Sequence, residues 1–351
     1  MPFRPHIRPL VPIFNPDKRT GAIVVGGTPS GTLGPTCPVS SSVEWPTSGF
    51  VNDIAISGNY AYVLLSAANS LVSVDISDPT NMTIADTLSI VGEHNNPKKI
   101  AISGTTAVVV GNGVSTYDIS DPASLALLDY LFLASTVNGV AISGNYAFVC
   151  LASDFVSSID ITDTSNIAYE TDVSTSINDP HGIAISGNYA FVANTANDSI
   201  TSIDITDPTA MAYEDDLVLA TDLNEAWALA ISGNYAYVTA ATATNGWVTA
   251  IDISNPAALA YNDSLTETIF QTTFGLVLAG TDIYVVSYAS DTISKIDNST
   301  EGSPLLDATL TDATEFNQVQ AIDKSGSYLF VGGGAAAGTA YLRAVHVDCV
   351  V

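Results

Sequence analysis

Side chains able to do acid–base, nucleophilic or metal chemistry are sparse in this chain, so their spacing decides what they mean. There are four histidines (His6, His94, His181, His346) and three cysteines (Cys37, Cys150, Cys349). A catalytic or structural metal site needs about three or four convergent His, Cys or carboxylate ligands, and only His94 and His181 fall where two such groups share a face. No phosphate-cradling loop, dinucleotide fingerprint or G-x-S-x-G elbow is present. The Gly-Gly-Gly run at Gly332 reads as a loop between strands. No catalytic residue, metal or cofactor is therefore expected.

Two other groups carry chemistry. Carboxylates recur in pairs three residues apart, in "DISDP" at Asp75 and Asp118, "DITDT" at Asp160 and "DITDP" at Asp204, and "DISNP" at Asp252 repeats the phrase with Asn255 in the second place. Calcium wants six to eight oxygens, yet Asp-Pro and Asn-Pro also start turns, with the side chain accepting from nearby backbone N–H groups. The pattern lacks the glycine and closing glutamate of an EF-hand loop, which favours turns. Three aromatics, Trp227, Trp247 and Phe274, could stack on a sugar ring or pack locally.

These groups sit on a repeating frame. "AISGNYAYV" or "AISGNYAFV" occurs at Ala55, Ala141, Ala184 and Ala230, and a turn glycine recurs at Gly58, Gly104, Gly144, Gly187, Gly233, Gly280 and Gly326, spaced 40 to 47 residues apart. Within each unit, short alternating runs rich in β-branched and aromatic residues are separated by Gly-Asn or Asp-Pro. In the fourth unit the runs are GIAIS, YAFVAN, ITSIDIT and YEDDLVLA. Four strands in about 45 residues mark a propeller blade. The expected fold is all-β: a seven-bladed β-propeller of four-stranded antiparallel blades. Ser-Gly-Asn joins the innermost and second strands, a place where glycine accepts positive φ.

The Asp-Ile-Ser/Thr-Asp-Pro wording resembles the LVIVD-repeat proteins, a β-propeller group akin in style to the YVTN repeats. The resemblance covers residues 51–351, with the sixth and seventh copies degraded ("KIDNST", "AVHVDCVV"). It implies the propeller fold and surface or secreted relatives, and it brings no catalytic residue.

The seventh copy has three strands, which would leave an open edge. Residues 37–46, containing "PVSSSVEWP", supply the fourth, so the propeller is expected to span residues 37–351 and to be closed by an N-terminal strand. Cys37 and Cys349 then fall at neighbouring ends of an antiparallel pair. They read either as a disulfide, worth up to about 5 kcal/mol for so long a loop, or as two free thiols. Cys150 reads as a small buried apolar residue.

Loops entering each innermost strand, with those between second and third strands, form the face opposite the Ser-Gly-Asn and Asp-Pro turns. That variable face collects His94, Asn96, Lys98, Asn138, His181, Trp227, Phe274 and Gln318 as candidate ligand-binding residues. They differ from blade to blade, as a grafted site would.

Residues 1–36 differ from the rest, being Pro-rich and carrying Arg4, Arg8, Lys18 and Arg19, four of the nine basic residues. Against them stand 36 acidic residues and a net charge of −27. Such a field repels nucleic acid, and no apolar run reaches the roughly 20 residues of a membrane span. Prolines interrupt every apolar stretch of the N-terminus, which does not read as a signal peptide. The basic arm suits an acidic partner or neighbouring copy, with Val24 and Val25 as its apolar anchor. These features point to a non-enzymatic structural or adhesive protein on a virion or extracellular surface, assembled through protein partners. The alternatives are a secreted carbohydrate- or protein-binding propeller, with a surface glycan as ligand, and an enzyme with a site in the central channel.

Overall fold

The computed structural model describes residues 41–46, 49–90, 92, 95–242, 244–313, 315–334 and 339–350. Arg4, Arg8, Lys18, Arg19, Val24, Val25, Cys37 and His94 lie outside these residues.

Each repeat forms one sheet of four consecutive antiparallel strands, giving blades at 51–89, 99–131, 137–173, 180–218, 226–267 and 273–311. The seventh blade takes three strands from 321–346 and its outermost strand, Ser41–Trp45, from the N-terminal side. Ser41 lies opposite Ala344 and Trp45 opposite Ala340 in that closing pair. All seven turn glycines have φ between 55° and 66°, a region a Cβ makes costly.

Second strands such as Tyr60–Leu65 are buried on both faces because a blade lies on each side. The apolar core is accordingly divided into seven clusters, one per blade interface. One example joins Phe191 and Ala193 of blade 4 to Val238 and Ile251 of blade 5. The cluster across the closure joins Val43 and Trp45 to Val51, Ile54 and Phe330. Gly332, expected in a loop, instead lies in the second strand of blade 7, Tyr328–Gly334. There a Cβ would collide with the Val51 side chain of blade 1, so the glycines let the first and last blades approach.

The closing strand is also held by charge. Arg343, in the third strand of blade 7, is buried, pairs with Glu315 and lies 3.5 Å from Glu44 of the closing strand. Its guanidinium stacks 4.5 Å from the Tyr341 ring centroid. Cys349 is disulfide-bonded, and its expected partner Cys37 falls outside the described residues. Cys150 is free and buried.

The repeated aspartates act as turn acceptors. Asp75 Oδ1 accepts the Ser77 N–H at 2.9 Å, and Asp118, Asp160, Asp204 and Asp252 do the same for the residue two positions on. The hydrogen bonds from Ser77 hold the Asp75 carboxyl below the usual carboxylate range. Those turns are in turn gripped by the preceding blade. Buried hydroxyls of the third strands, Ser73, Thr116, Ser158 and Ser202, donate to the carbonyls of Pro122, Thr164, Pro208 and Pro256. Carboxylates of the outer strands, Asp86, Asp129 and Asp215, accept the backbone N–H groups of Leu125, Ile167 and Leu259 in the next blade. Part of the acidity of the chain is thus inter-blade structure.

Blade 6, whose repeat is degraded, uses a substitute. Tyr237 donates to Asn298 Oδ1 at 2.8 Å and accepts the Gly302 N–H at 3.0 Å. Asn298 is therefore a buried anchor, although its sequence also matches a glycosylation acceptor. No helix among the described residues is long and apolar enough to cross a membrane.

Candidate functional site

One register position of the innermost strands repeats in place but not in identity. It holds Asn52, Lys98, Asn138, His181, Trp227, Phe274 and Gln320 in blades 1 to 7. The backbone explains why this position faces the channel. In blades 1, 3, 4, 5 and 6 the register between first and second strands slips at that residue. In blades 2 and 7 the N–H groups of Lys98 and Gln320 bond Val110 and Gly332, which are also the partners of Lys99 and Ala321. An extra residue of this kind is a bulge, which turns its side chain out of the sheet's alternation.

All seven side chains line one cavity of about 520 Å³ at the mouth of the channel, within the size range of small-ligand sites. Beneath them lie Val140, Ile183, Leu229, Leu276 and Ile322. The small residues following the ring are required by close approach. A Cβ on Gly139 would strike the His181 carbonyl, and one on Gly182 the Trp227 carbonyl.

The ring has two unlike halves. Blades 1 to 3 give a polar wall. Lys98 Nζ donates to Asn138 Oδ1 at 2.7 Å, Asn138 Nδ2 donates to the Pro180 carbonyl at 3.2 Å, and Asn52 Nδ2 to the Pro97 carbonyl at 2.7 Å. Lys99, just behind, is paired with Asp53 at 3.2 Å. Blades 4 to 6 give an aromatic wall. The His181 ring stacks on Trp227 with centroids 3.8 Å apart, Trp227 meets Phe274 edge-on at 4.9 Å, and Phe274 meets Tyr288 at 5.7 Å.

Burial pushes the His181 imidazole down to about 4, with Lys98 and Lys99 adding to the fall and Asp179, 3.5 Å away, opposing it. The ring is therefore neutral near pH 7 and stacks as an aromatic. Burial likewise lowers the Lys98 ammonium, against the pull of Asp179. Lower in the blade 7 inner strand, burial raises the Asp323 carboxyl to about 6, and the Asp53 charge adds to that rise. An amide-and-ammonium wall facing an aromatic wall suits a ligand with hydrogen-bonding edges and an apolar face.

Of the sequence candidates, the cavity brings together Asn96, Lys98, Asn138, His181, Trp227 and Phe274. Gln318 is not among the residues lining this cavity. It sits two residues before the ring position with φ of 51°, its N–H bonded to Asp291 Oδ1 at 2.7 Å. Asn96, Asp179 and Glu225 hold the same place, bonded to Asn69, Asp154 and Asp198 of the preceding blade. That position clasps the connection between blades, and Asn96 does so while also bordering the cavity. Asn52 and Gln320 were missed. Counting six residues back from each turn glycine would have found both. Trp247, considered for sugar stacking, is buried in the third strand of blade 5.

Known proteins agree at the level of fold. A protein of unknown function from Desulfotomaculum acetoxidans superposes with a TM-score of 0.62 at 15% identity, over 73% of this chain and 84% of that one. The β-propeller domain of Cps50 (Swd1) from Myceliophthora thermophila gives 0.68 at 13% identity, covering 88% and 99%. A Bacteroides fragilis protein named as a 6-phosphogluconolactonase gives 0.66 at 10% identity, covering 77% and 85%. No curated protein matches the sequence significantly. The LVIVD repeat matches residues 48–88, 96–130, 134–175, 179–214 and 224–266, more than half of the chain. These are the five blades with intact Asp-turn wording, and the chain belongs to the LVIVD-repeat family.

Proposed function

We propose that this protein is a non-enzymatic, adhesive recognition propeller that holds a surface glycan at the mouth of its channel. The observation carrying this reading is the ring itself. Around a frame that repeats its words almost unchanged, one bulged position per blade carries amide, ammonium, imidazole, indole and phenyl groups. Aromatic faces stack on the C–H faces of pyranoses, while amides and an ammonium bond their hydroxyls. His181 and Asn138 are tied into stacking and backbone contacts, a supporting arrangement for binding rather than for moving protons.

The mouth is tested by a glycan array probed with the full chain and with a Trp227→Ala, Phe274→Ala double variant. Saccharide binding by the parent that the variant loses supports the reading; no saccharide bound, or equal binding by both, overturns it. The proposal places the protein on a virion or extracellular surface, anchored by its basic arm to a protein partner. What supports this is the charge contrast between Arg4, Arg8, Lys18 and Arg19 and a chain of net charge −27. Unchanged incorporation into native particles after deletion of residues 1–36 would refute that placement.

A further inference from the structure

The ammonium of Lys98 has a different status from three of the other four cations among the described residues, the fourth being Lys324, which bonds the Gly326 carbonyl. Lys99, Lys295 and Arg343 each pair with carboxylates. Lys98 has no carboxylate within 4 Å among the described residues, although the chain is rich in them, and its Nζ bonds only Asn138 Oδ1 at 2.7 Å. Asn138 is itself fixed by its bond to the Pro180 carbonyl. The ammonium is thereby positioned, half-buried, on the cavity wall, with N–H donors left over.

A half-buried charge with no carboxylate in contact among the described residues is costly, because Asp179 acts on it only from beyond 4 Å, and an anion arriving in the cavity would relieve that cost. One ammonium in a strongly acidic body matches a single negative charge and disfavours a dianion such as a phosphate monoester. Across the cavity, Trp227 and Phe274 offer apolar ring surface to the body of the same ligand.

We propose that the mouth selects saccharides bearing one anionic group, the carboxylate of a uronic acid or a sulfate ester, through Lys98. This rests on the glycan reading of the same cavity and narrows its ligand class.

The test is titration calorimetry of the full chain with three probes: a glucuronic-acid-terminated disaccharide, its glucose-terminated counterpart, and a glucose sulfate. Parent protein, Lys98→Met and Lys98→Arg are compared, with thermal melts to establish that each is folded. The expected result is that at least one charged probe binds the parent about tenfold more tightly than the neutral one. Lys98→Met should erase that preference, Lys98→Arg should keep most of it, and the preference should shrink as salt rises. Equal affinity for charged and neutral probes, or a preference that survives Lys98→Met, overturns the inference and leaves the glycan reading standing. If no probe binds, the inference is overturned, and where the array is also blank the glycan reading falls with it. The carboxylate and sulfate arms separate the two sources of the charge.

Discussion

The two faces of this propeller obey opposite rules. On the Asp-turn face nearly every repeat says the same thing, because each turn is read by its neighbour. A buried hydroxyl of one blade meets a turn carbonyl of the next, from Ser73 to Pro122 and from Ser202 to Pro256. At the channel mouth the seven ring positions hold six residue types, because the bulge turns each side chain toward the cavity. Asn52, Lys98 and Asn138 still bond across to the next blade, while Trp227, Phe274 and Gln320 make no such side-chain hydrogen bond among the described residues. Repetition here is a mark of contact between blades, and its interruption marks the surface that is free to recognise something else.

The sharpest way to break this comparison is at the closure. Removing residues 1–46 takes the strand Ser41–Trp45 from blade 7, with the buried side chains of Val43 and Trp45, and uncovers the apolar cluster they share with Val51, Ile54 and Phe330. Removing 1–36 spares it. The longer deletion is expected to abolish a cooperative melt near the parent temperature, whereas the shorter one should retain it. Equal melting curves would sink the closure argument.

A smaller effect is expected at a single clasp. Ser202→Val leaves the Pro256 carbonyl without its 2.6 Å donor and should cost about 1–3 kcal/mol in chemical denaturation. The same kind of change at the mouth should behave differently. Gln320→Ala, whose side chain bonds nothing in the described structure, should shift stability by less than about 0.5 kcal/mol while altering ligand binding.

Acidity separates the faces too. His181 falls from its ordinary 6.5 to about 4, so the unfolded chain binds the proton more readily. Its contribution is full above pH 6.5 and is lost as pH falls toward 4. Asp323 rises from 3.8 to about 6, so its contribution is full below pH 3.8 and lost as pH climbs through 6. Asp323→Asn removes that charge but also one of the two oxygens that accept the Ile56 and Lys324 N–H groups, so its cost, about 1–3 kcal/mol near pH 4, should shrink as pH rises above 6. Melting temperatures of parent and variant across that range check the sign.

Much of the frame is legible in the sequence because turn chemistry is local. A Ser-Gly-Asn turn demands positive φ, and all seven glycines have it. The missing fourth strand of the last copy follows from counting. What is not legible depends on neighbours distant in sequence. Ser158 and Ser202 look like ordinary strand residues until the next blade's carbonyl is placed beside them. Gln318 and Gln320 are two residues apart and differ in role because one takes a positive φ and the other sits in a bulge. The Gly332–Gly334 run looks like a loop because nothing in one repeat announces that blade 1 will press against blade 7.

The closing pair also has a temporal meaning. Ser41 and Ala344, partners in one sheet, are 303 residues apart in the chain. At about 5–20 residues per second the ribosome needs roughly 15–60 s to deliver the second after the first. Throughout that interval the early strand has no mate, while the first six blades are free to form from contacts close in sequence. Nascent chains on one message would then carry identical orphan strands side by side, each able to complete a neighbour's seventh blade. Exchange of that strand between copies is the misassembly this architecture invites, and crowding of ribosomes is the condition that would bring it out.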